Sequence, residues 1–485
     1  MSAPLSKKNA AAFVQNLEVK DYCRDAPFDP PQRYPELPFV KRVNPGNSVY
    51  PMIRELWLEM GLDLENIGTP AWNPFRGIIR PGAKVLIKPN LVTHHHYLGG
   101  DAVLSSIVHG SVLRPIVDYA FLALEGEGII LIADNPLESA DFDEILRRTG
   151  IGAMVDRLRD DDCRPLKLLD LRPKAFRENA KGDYVEHPLA GDPLGYEIID
   201  LGTESCFAGL DDRDNVYCTL YDKTIDHLDP FTTGKSKTDE FHHKGVHRYV
   251  VSKSVLDADV VINVAKLKTH CKAGVTLGLK NAIGIIGNKI CMPHHRGGPP
   301  PEGDAFPHYP RASYVKGRRA YRKLRQTIQI HRFPGVRNLI SWLRKNEILV
   351  AREIEHGNWQ GNDTLWRTIL DVNRIWRYAD RDGRMSDTPQ RPNLTIIDGI
   401  IGQHGDAPMS GTPIVSSIVF GGFDGPATDA LAVKAMGIDY RLVKTVVQAG
   451  EARRWPLSAE GSLGLSLPDR PLPSLGFRTP KGWSS

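Results

Sequence analysis

Residues 258–270 read ADVVINVAKLKTH. From Val260 to Ala265 almost every position is apolar, so a strand built from the run has no face left for water. Such a strand needs a sheet covered on both sides, which restricts the chain to layered α/β architectures. The pattern recurs. AKVLIK (83–88) is closed by Pro89, and GIILIA (128–133) ends at DNPLES. Further strand candidates are LKLLDL (166–171), YEIIDL (196–201), HRYVVSK (247–253), NLTIIDGIIG (393–402) and IVSSIVFGG (414–422). Helices are predicted at 47–61, at about 114–124 with Pro115 in the first turn, and at 424–437, capped by Asp424 and closed by Gly437. Strands alternating with helices predict an α/β fold: a largely parallel sheet, helices on both faces and two lobes around a cleft.

The chain divides into five expected regions. Residues 1–75, rich in proline and aromatics, form an N-terminal arm packed on the body, and 76–290 form a first α/β region. A long helical, basic insertion follows at 291–392. Residues 393–452 form a second α/β region that closes the cleft, and the proline- and serine-rich stretch 453–485 is expected as a poorly ordered tail. At 485 residues, with 41% hydrophobic and 25% charged positions, the chain can bury a large core. Sixty-two basic against 58 acidic residues leave a formal charge of +4, which excludes no class of partner.

No N-terminal apolar region of a signal peptide is visible, and no run approaches the ~18–20 apolar residues of a membrane span. The six cysteines (Cys23, Cys163, Cys206, Cys218, Cys271, Cys291) form no C-x-x-C pair. This spacing argues against a clustered-cysteine iron–sulfur site, a zinc ribbon or a disulfide framework. The expected location is cytoplasmic, or peripheral to a membrane. Residues 311–346 hold eleven Lys or Arg and no acid. They have three readings: a nucleic-acid surface with Tyr309, Tyr314 and Tyr321 nearby, a contact with an anionic membrane or polyanion through VRNLISWLRK, or a solvated helical hairpin over the site.

In open α/β sheets, ligands bind beyond the carboxyl ends of the strands. Four polar clusters fall at such ends: Lys88-Pro89-Asn90, Asp134-Asn135, Lys266 to Lys280, and Asp398 with the GQHGDAP loop. Taken singly, each reads equally well as a turn or a helix cap. Together they predict one cleft lined by Lys88, Asn90, His270, Lys280 and Asp398. Lys266 and Lys268 leave their strand on the same side, and a helix beginning near Gly274 offers its first N–H groups to an anion. His270 is the candidate acid/base and Lys280 the electrophilic or cofactor-holding group, with Lys88, Asn90, Lys266, Lys268, Asn281 and Asp398 as ligand contacts. Gly284 and Gly287 permit close backbone approach. The pairs His94/His96 and His243/His247 have spacings compatible with a metal, but lack a Cys or carboxylate partner at a recognisable distance.

Four blocks carry a resemblance to a known family: VLIKPNLV, ADVVINVAKLKTHCKAGVTLGLKNAIGII, GNWQGNDTLWRTILDVNRIW and LTIIDGIIGQHGDAPMSGTP with GGFDGPATDALAVKAMG. In order and over roughly residues 83–440, they resemble domain-of-unknown-function family 362, which implies little about activity. Some members carry a ferredoxin-like segment, which this chain lacks. Locally, His270-Cys271-Lys272-Ala273-Gly274 and Lys280 are similar to nickel-pincer lactate racemases. That resemblance implies a catalytic His270, a lysine-linked nickel cofactor on Lys280 and a metal ligand at His294 or His295. Leu277-Gly278-Leu279 and Asp134-Asn135 depart from that pattern and count against the nickel cofactor.

These readings predict an enzyme, an isomerase or oxidoreductase, acting on a small anionic hydroxy acid, sugar acid or phosphorylated sugar. The alternative is a non-catalytic ligand-binding or accessory protein of a multiprotein biosynthetic pathway.

Overall fold

The computed structural model of the chain describes residues 11–160, 163–179, 184–210, 216–219, 221–222, 236–309, 356–451, 453–458 and 471–483. The basic stretch 311–346 lies outside the described residues. At the centre is an eight-stranded sheet built from β1 (Ala12–Gln15), β2 (Lys84–Pro89), β3 (Ile129–Asp134), β4 (Leu166–Asp170), β11 (Val260–His270), β12 (Gly274–Val275), β14 (Asn393–His404) and β15 (Thr412–Gly422). Its order is β1-β15-β14-β11-β2-β3-β4, with β12 folded back on the end of β11. Neighbours from β14 to β4 pair in parallel, while β15 and β1 close one edge in antiparallel pairings.

The apolar runs are buried as the sequence requires. One face of the sheet, with Val85, Ile87, Ile262, Val264, Leu394 and Ile396, packs under α1 (Val49–Glu59), α2 (Gly110–Leu124), α3 (Phe142–Thr149) and α4 (Ile151–Asp160). The other face carries two clusters. Leu86 and Val261 meet α5 (Lys253–Leu256) and α7 (Leu365–Tyr378), and Ala265, Leu267, Ile397 and Phe420 meet α8 (Gly425–Met436) and α9 (Lys444–Ala449). Between these lies α6 (Leu277–Asn281), which follows β12.

Small antiparallel sheets flank this frame: β5 (Lys174–Glu178) with β6 (Tyr184–Pro188), β8 (Tyr217–Cys218) with β13 (His295–Arg296), and β7 (Tyr196–Asp200)-β10 (Val246–Ser252)-β9 (His242–His243). The runs at 196–201 and 247–253 therefore form strands, but outside the main sheet. Helix α2 starts before its expected position, so Pro115 falls in the second turn, with His109 as the N-cap. Residues 393–422 add β14 and β15 to the sheet of the first region rather than building a second one. The described part of the C-terminal stretch is packed. Trp455, Leu457 and Phe477 are buried, and Trp483 Nε1 donates to Cys271 O at 2.7 Å. This corrects the expected poorly ordered tail for those residues.

Strand order reverses between β2 and β11. β3 and β4 extend from β2 in one direction, while β11 and β14 lie on the other side. That reversal is the kind of switch point at which open α/β sheets place ligands.

A closed ion pair ties the N-terminal arm to the sheet. Lys266 Nζ donates to Asp398 Oδ2 at 2.8 Å and to the Tyr22 hydroxyl, and Tyr22 OH donates to Asp398 Oδ1 at 2.9 Å. Both charged side chains are 0% exposed, and Tyr22 stacks on His109 with ring centroids 4.5 Å apart. Removing one partner of such a pair strands the other charge in a dry interior. Asp398→Asn is expected to lower the unfolding free energy by about 3 kcal/mol, and Lys266→Met with Asp398→Leu to restore most of it. Urea unfolding of the three proteins checks this; equal loss in the single and double variants would contradict it.

Candidate functional site

At the switch point, side chains from β2, β3, β11 and α6 form one hydrogen-bonded network. Lys88 Nζ donates to Asp134 Oδ1 at 2.7 Å and to Asn281 Oδ1 at 3.2 Å. Asp134 Oδ2 accepts from the Leu91 N–H at 2.7 Å, and Asn90 Nδ2 donates to Asn281 Oδ1 at 3.0 Å. Lys268 Nζ donates to Asn90 Oδ1 at 3.0 Å and to Ser106 O at 2.6 Å. Gly284 lies against this network so closely that a Cβ there would collide with Asp134 Oδ1 and Lys88 Nζ. Of the expected site residues, Lys88, Asn90, Lys268 and Asn281 are thus joined, while His270 and Lys280 lie close enough to feel the charges of Lys268 and Lys88. Lys266 and Asp398 are not joined to them, because they neutralise each other in the core under Tyr22.

The turn after β11 differs from its expected form. Instead of entering a helix at Gly274, the chain makes a hairpin, with Thr269 opposite Val275 and His270 opposite Gly274. Leu277 then takes φ +44°, a left-handed conformation that costs a bulky residue about 1–3 kcal/mol, and α6 begins. The expected anion site at this helix start is already filled. Asp429 accepts from the Gly278 and Leu279 N–H groups at 2.8 and 2.9 Å. Burial pushes the Asp429 carboxyl up to about 7, against the pull of those two N–H groups. Nothing near the glycines announced Asp429; the only signal is an acid within the otherwise apolar helix ATDALAVKAMG.

His270 Nδ1 accepts from the Lys272 and Ala273 N–H groups at 3.2 and 3.3 Å. A neutral imidazole whose Nδ1 accepts carries its proton on Nε2, so His270 is a donor toward its surroundings. Burial, then Lys280, Lys272 and Lys268, hold its pKa well below the usual value. His294 has the opposite tautomer. Its Nδ1 lies 2.8 Å from Met292 O, and a carbonyl only accepts, which leaves Nε2 with a free lone pair. Burial and Lys272 push its pKa down to about 3.

Lys272 and Lys289 join the cluster, and neither was singled out from sequence. Lys272 Nζ donates to His356 O, and Lys289 Nζ donates to Asn135 O at 3.0 Å. The six lysines are not equally compensated. Lys88 and Lys266 each have a carboxylate at ion-pair distance. Lys268, Lys272 and Lys289 have only neutral oxygens, and Lys280 Nζ has no hydrogen-bond or ion-pair partner among the described residues. Burial pushes Lys272, Lys280 and Lys289 down to about 8, with Lys88 and Lys272 adding to the effect at Lys280. It holds Lys268 well below the ordinary lysine value, with Lys280 and Lys266 contributing. Two polar atoms nearby, Thr276 Oγ1 and Asn135 Oδ1, are buried without a hydrogen-bond partner.

The metal expectation does not fit the donors present. Among the described residues no group of three or more His, Cys, Asp or Glu is placed to hold a metal ion. His294 keeps an Nε2 lone pair but has no group of further donors around it among the described residues, and His295 is buried in β13 beside the His356 ring. The loop histidines are structural as well. His94 accepts from the Asp141 N–H, His96 bonds Gln403, and His247 faces His242 in the interior while His243 is exposed beside Asp239 O. His404 and Asp406 hold the backbone N–H groups of Arg478 and Lys481 rather than facing the network.

Comparison with known proteins adds two findings. Residues 215–434 match the family model described as a domain of unknown function (DUF362), a shorter span than the resemblance read from the sequence. The chain is also 42% identical over 53 residues to a thylakoid-associated protein of Synechocystis sp.. That match covers 11% of this chain and 15% of the relative, so the chain spans about a seventh of that protein's length. No helix among the described residues is long and apolar enough to cross a membrane.

The buried Asp429 gives a pH test. Its carboxyl titrates near the model-compound value of 3.8 when unfolded and near 7 when folded, so in between only the folded state holds the proton. Stability is therefore fully present below about pH 4 and falls as pH rises toward 7. Asp429→Asn is expected to flatten the fall over that window, whatever its absolute stability. Unfolding free energies measured from pH 4 to 8 decide it; identical slopes in both proteins would contradict the assignment.

Proposed function

We infer that this DUF362-domain protein binds a small anionic molecule at the switch between β2 and β11, and performs acid–base chemistry on it. The observation that carries this reading is the group of buried lysines Lys268, Lys272 and Lys289, which hydrogen-bond only to neutral oxygens, beside the partly exposed Lys280. An ammonium taken out of water without a counter-charge costs several kcal/mol. A chain keeps Lys268 and Lys272 buried beside Lys280 at such cost when an anion completes the site. Hydroxy acids, sugar acids and phosphorylated sugars are the matching class of substrate.

The histidine tautomers support the chemical half. His270 presents an Nε2–H donor that polarises a substrate oxygen, and its low pKa keeps it neutral at physiological pH. His294, whose backbone adjoins Asn362 beside the segment that anchors Lys272, keeps a lone pair able to accept a hydrogen bond from a substrate hydroxyl. A donor and an acceptor in one anion site suit an isomerase or an oxidoreductase, whose steps move a proton at a carbon bearing oxygen.

Inorganic phosphate, pyrophosphate and citrate are the probes. Each should raise the thermal unfolding midpoint by about 2 °C or more above a chloride control of equal ionic strength. Lys280→Met should unfold no earlier than the parent without anion, because Lys280 has no bond to lose, and should respond less to each anion. Parent and control midpoints that coincide for all three anions would remove the anion-site reading.

A further inference from the structure

We propose that Lys280 is a nucleophilic amine that forms a covalent imine with the carbonyl carbon of a small anionic oxo compound, an inference that rests on the anion site just described. Hydrogen bonding singles it out. An amine attacks through its lone pair, which exists only when the nitrogen is deprotonated. Lys88 and Lys266 are held as ammonium ions by Asp134 and Asp398, and Lys268, Lys272 and Lys289 each spend N–H bonds on carbonyl or amide oxygens. Lys280 alone among these six donates to nothing among the described residues, so no oxygen there favours its charged form.

Its surroundings favour the free amine. Lys280 sits on α6, with the cations Lys88 and Lys272 close enough to repel a further positive charge. The result is an amine that titrates at about 8 instead of 10.5, so a usable fraction is neutral near physiological pH. Cationic neighbours together with desolvation are a known route to a nucleophilic lysine. Residue Lys280 also keeps intermediate exposure, which the other five lysines do not.

The step balances without an outside reagent. The Lys280 Nζ lone pair forms a bond to the carbonyl carbon, and the C–O bond breaks. The oxygen leaves as water with the two protons the nitrogen loses. His270 Nε2–H polarises the departing oxygen while keeping its own proton, and the neighbouring cations hold the carboxylate or phosphate of the substrate. The imine withdraws electrons from the adjacent carbon and eases proton removal there.

The test uses glyoxylate, pyruvate and dihydroxyacetone phosphate, each incubated with the full chain with and without sodium borohydride, followed by peptide mapping. At least one should give a reduced adduct on Lys280 at an occupancy on the order of tenfold above exposed Lys20 or Lys41. Lys280→Arg should lose that adduct while its midpoint still rises with phosphate, because a guanidinium keeps the charge but cannot form the imine. Labelling of Lys280 no greater than of Lys20 with all three carbonyls would overturn the proposal. If phosphate still stabilises the parent in that case, only the imine fails; if it does not, the anion site fails with it.

Discussion

The amide of Asn281 bonds in two directions at the switch point. Its oxygen accepts from Lys88 and Asn90, and its nitrogen donates to Asn263 Oδ1 at 2.8 Å and to the backbone carbonyls of Lys88 and Val264 at 3.2 and 3.3 Å. One side chain therefore satisfies the ends of β2 and β11 and fixes α6 between them. Without it, several polar groups would be buried and unpaired where the two strands diverge. Lys280 is the residue before Asn281, so the interaction that closes the sheet end also sets the position of the amine. Gly284 completes the arrangement, since no side chain fits beside Lys88 and Asp134.

Around this joint, two kinds of buried charge serve different purposes. Lys266, Asp398 and Tyr22 form a neutral, sealed unit far from solvent, and its effect is to hold the N-terminal arm against the sheet. Lys268, Lys272, Lys280 and Lys289 lack such compensation and sit where the strands end. The same residue type is thus structural two positions before it becomes part of a candidate site. What differs is whether a carboxylate from β14 stands opposite: Lys266 pairs with Asp398 in register, whereas beyond an irregularity in the pairing Lys268 stands opposite Gln403 and its ammonium meets Asn90.

Much of the frame was legible because burial on both faces leaves a plain record. VVINVA, KVLIK and IILIA could only be covered parallel strands, and Asp424 and Gly437 marked the two ends of α8. That Lys88, Asn90 and Lys268 meet was also legible, because each stands at or just beyond a strand end. Other features were not legible, since they arise from contacts distant in sequence. Tyr22 reaches Asp398 across 376 positions, and Asp429 occupies the α6 start across 151. Neither has a local pattern. The hairpin at 271–273 escaped notice because Gly274 reads equally well as a helix entry and as a left-handed turn position; its φ of +79° settled the matter.

By itself, the sequence determined that the chain is an α/β protein with a basic, histidine-bearing segment at a strand end, because hydrophobic period and strand-end polarity are local properties. Which of those polar residues are neutralised was decided only by the tertiary structure. Charge compensation depends on what stands within about 4 Å, and that is set by sheet register and by the packing of distant helices. The lysines 266 and 280 look alike in the chain; folding gives one a carboxylate and leaves the other without a partner among the described residues.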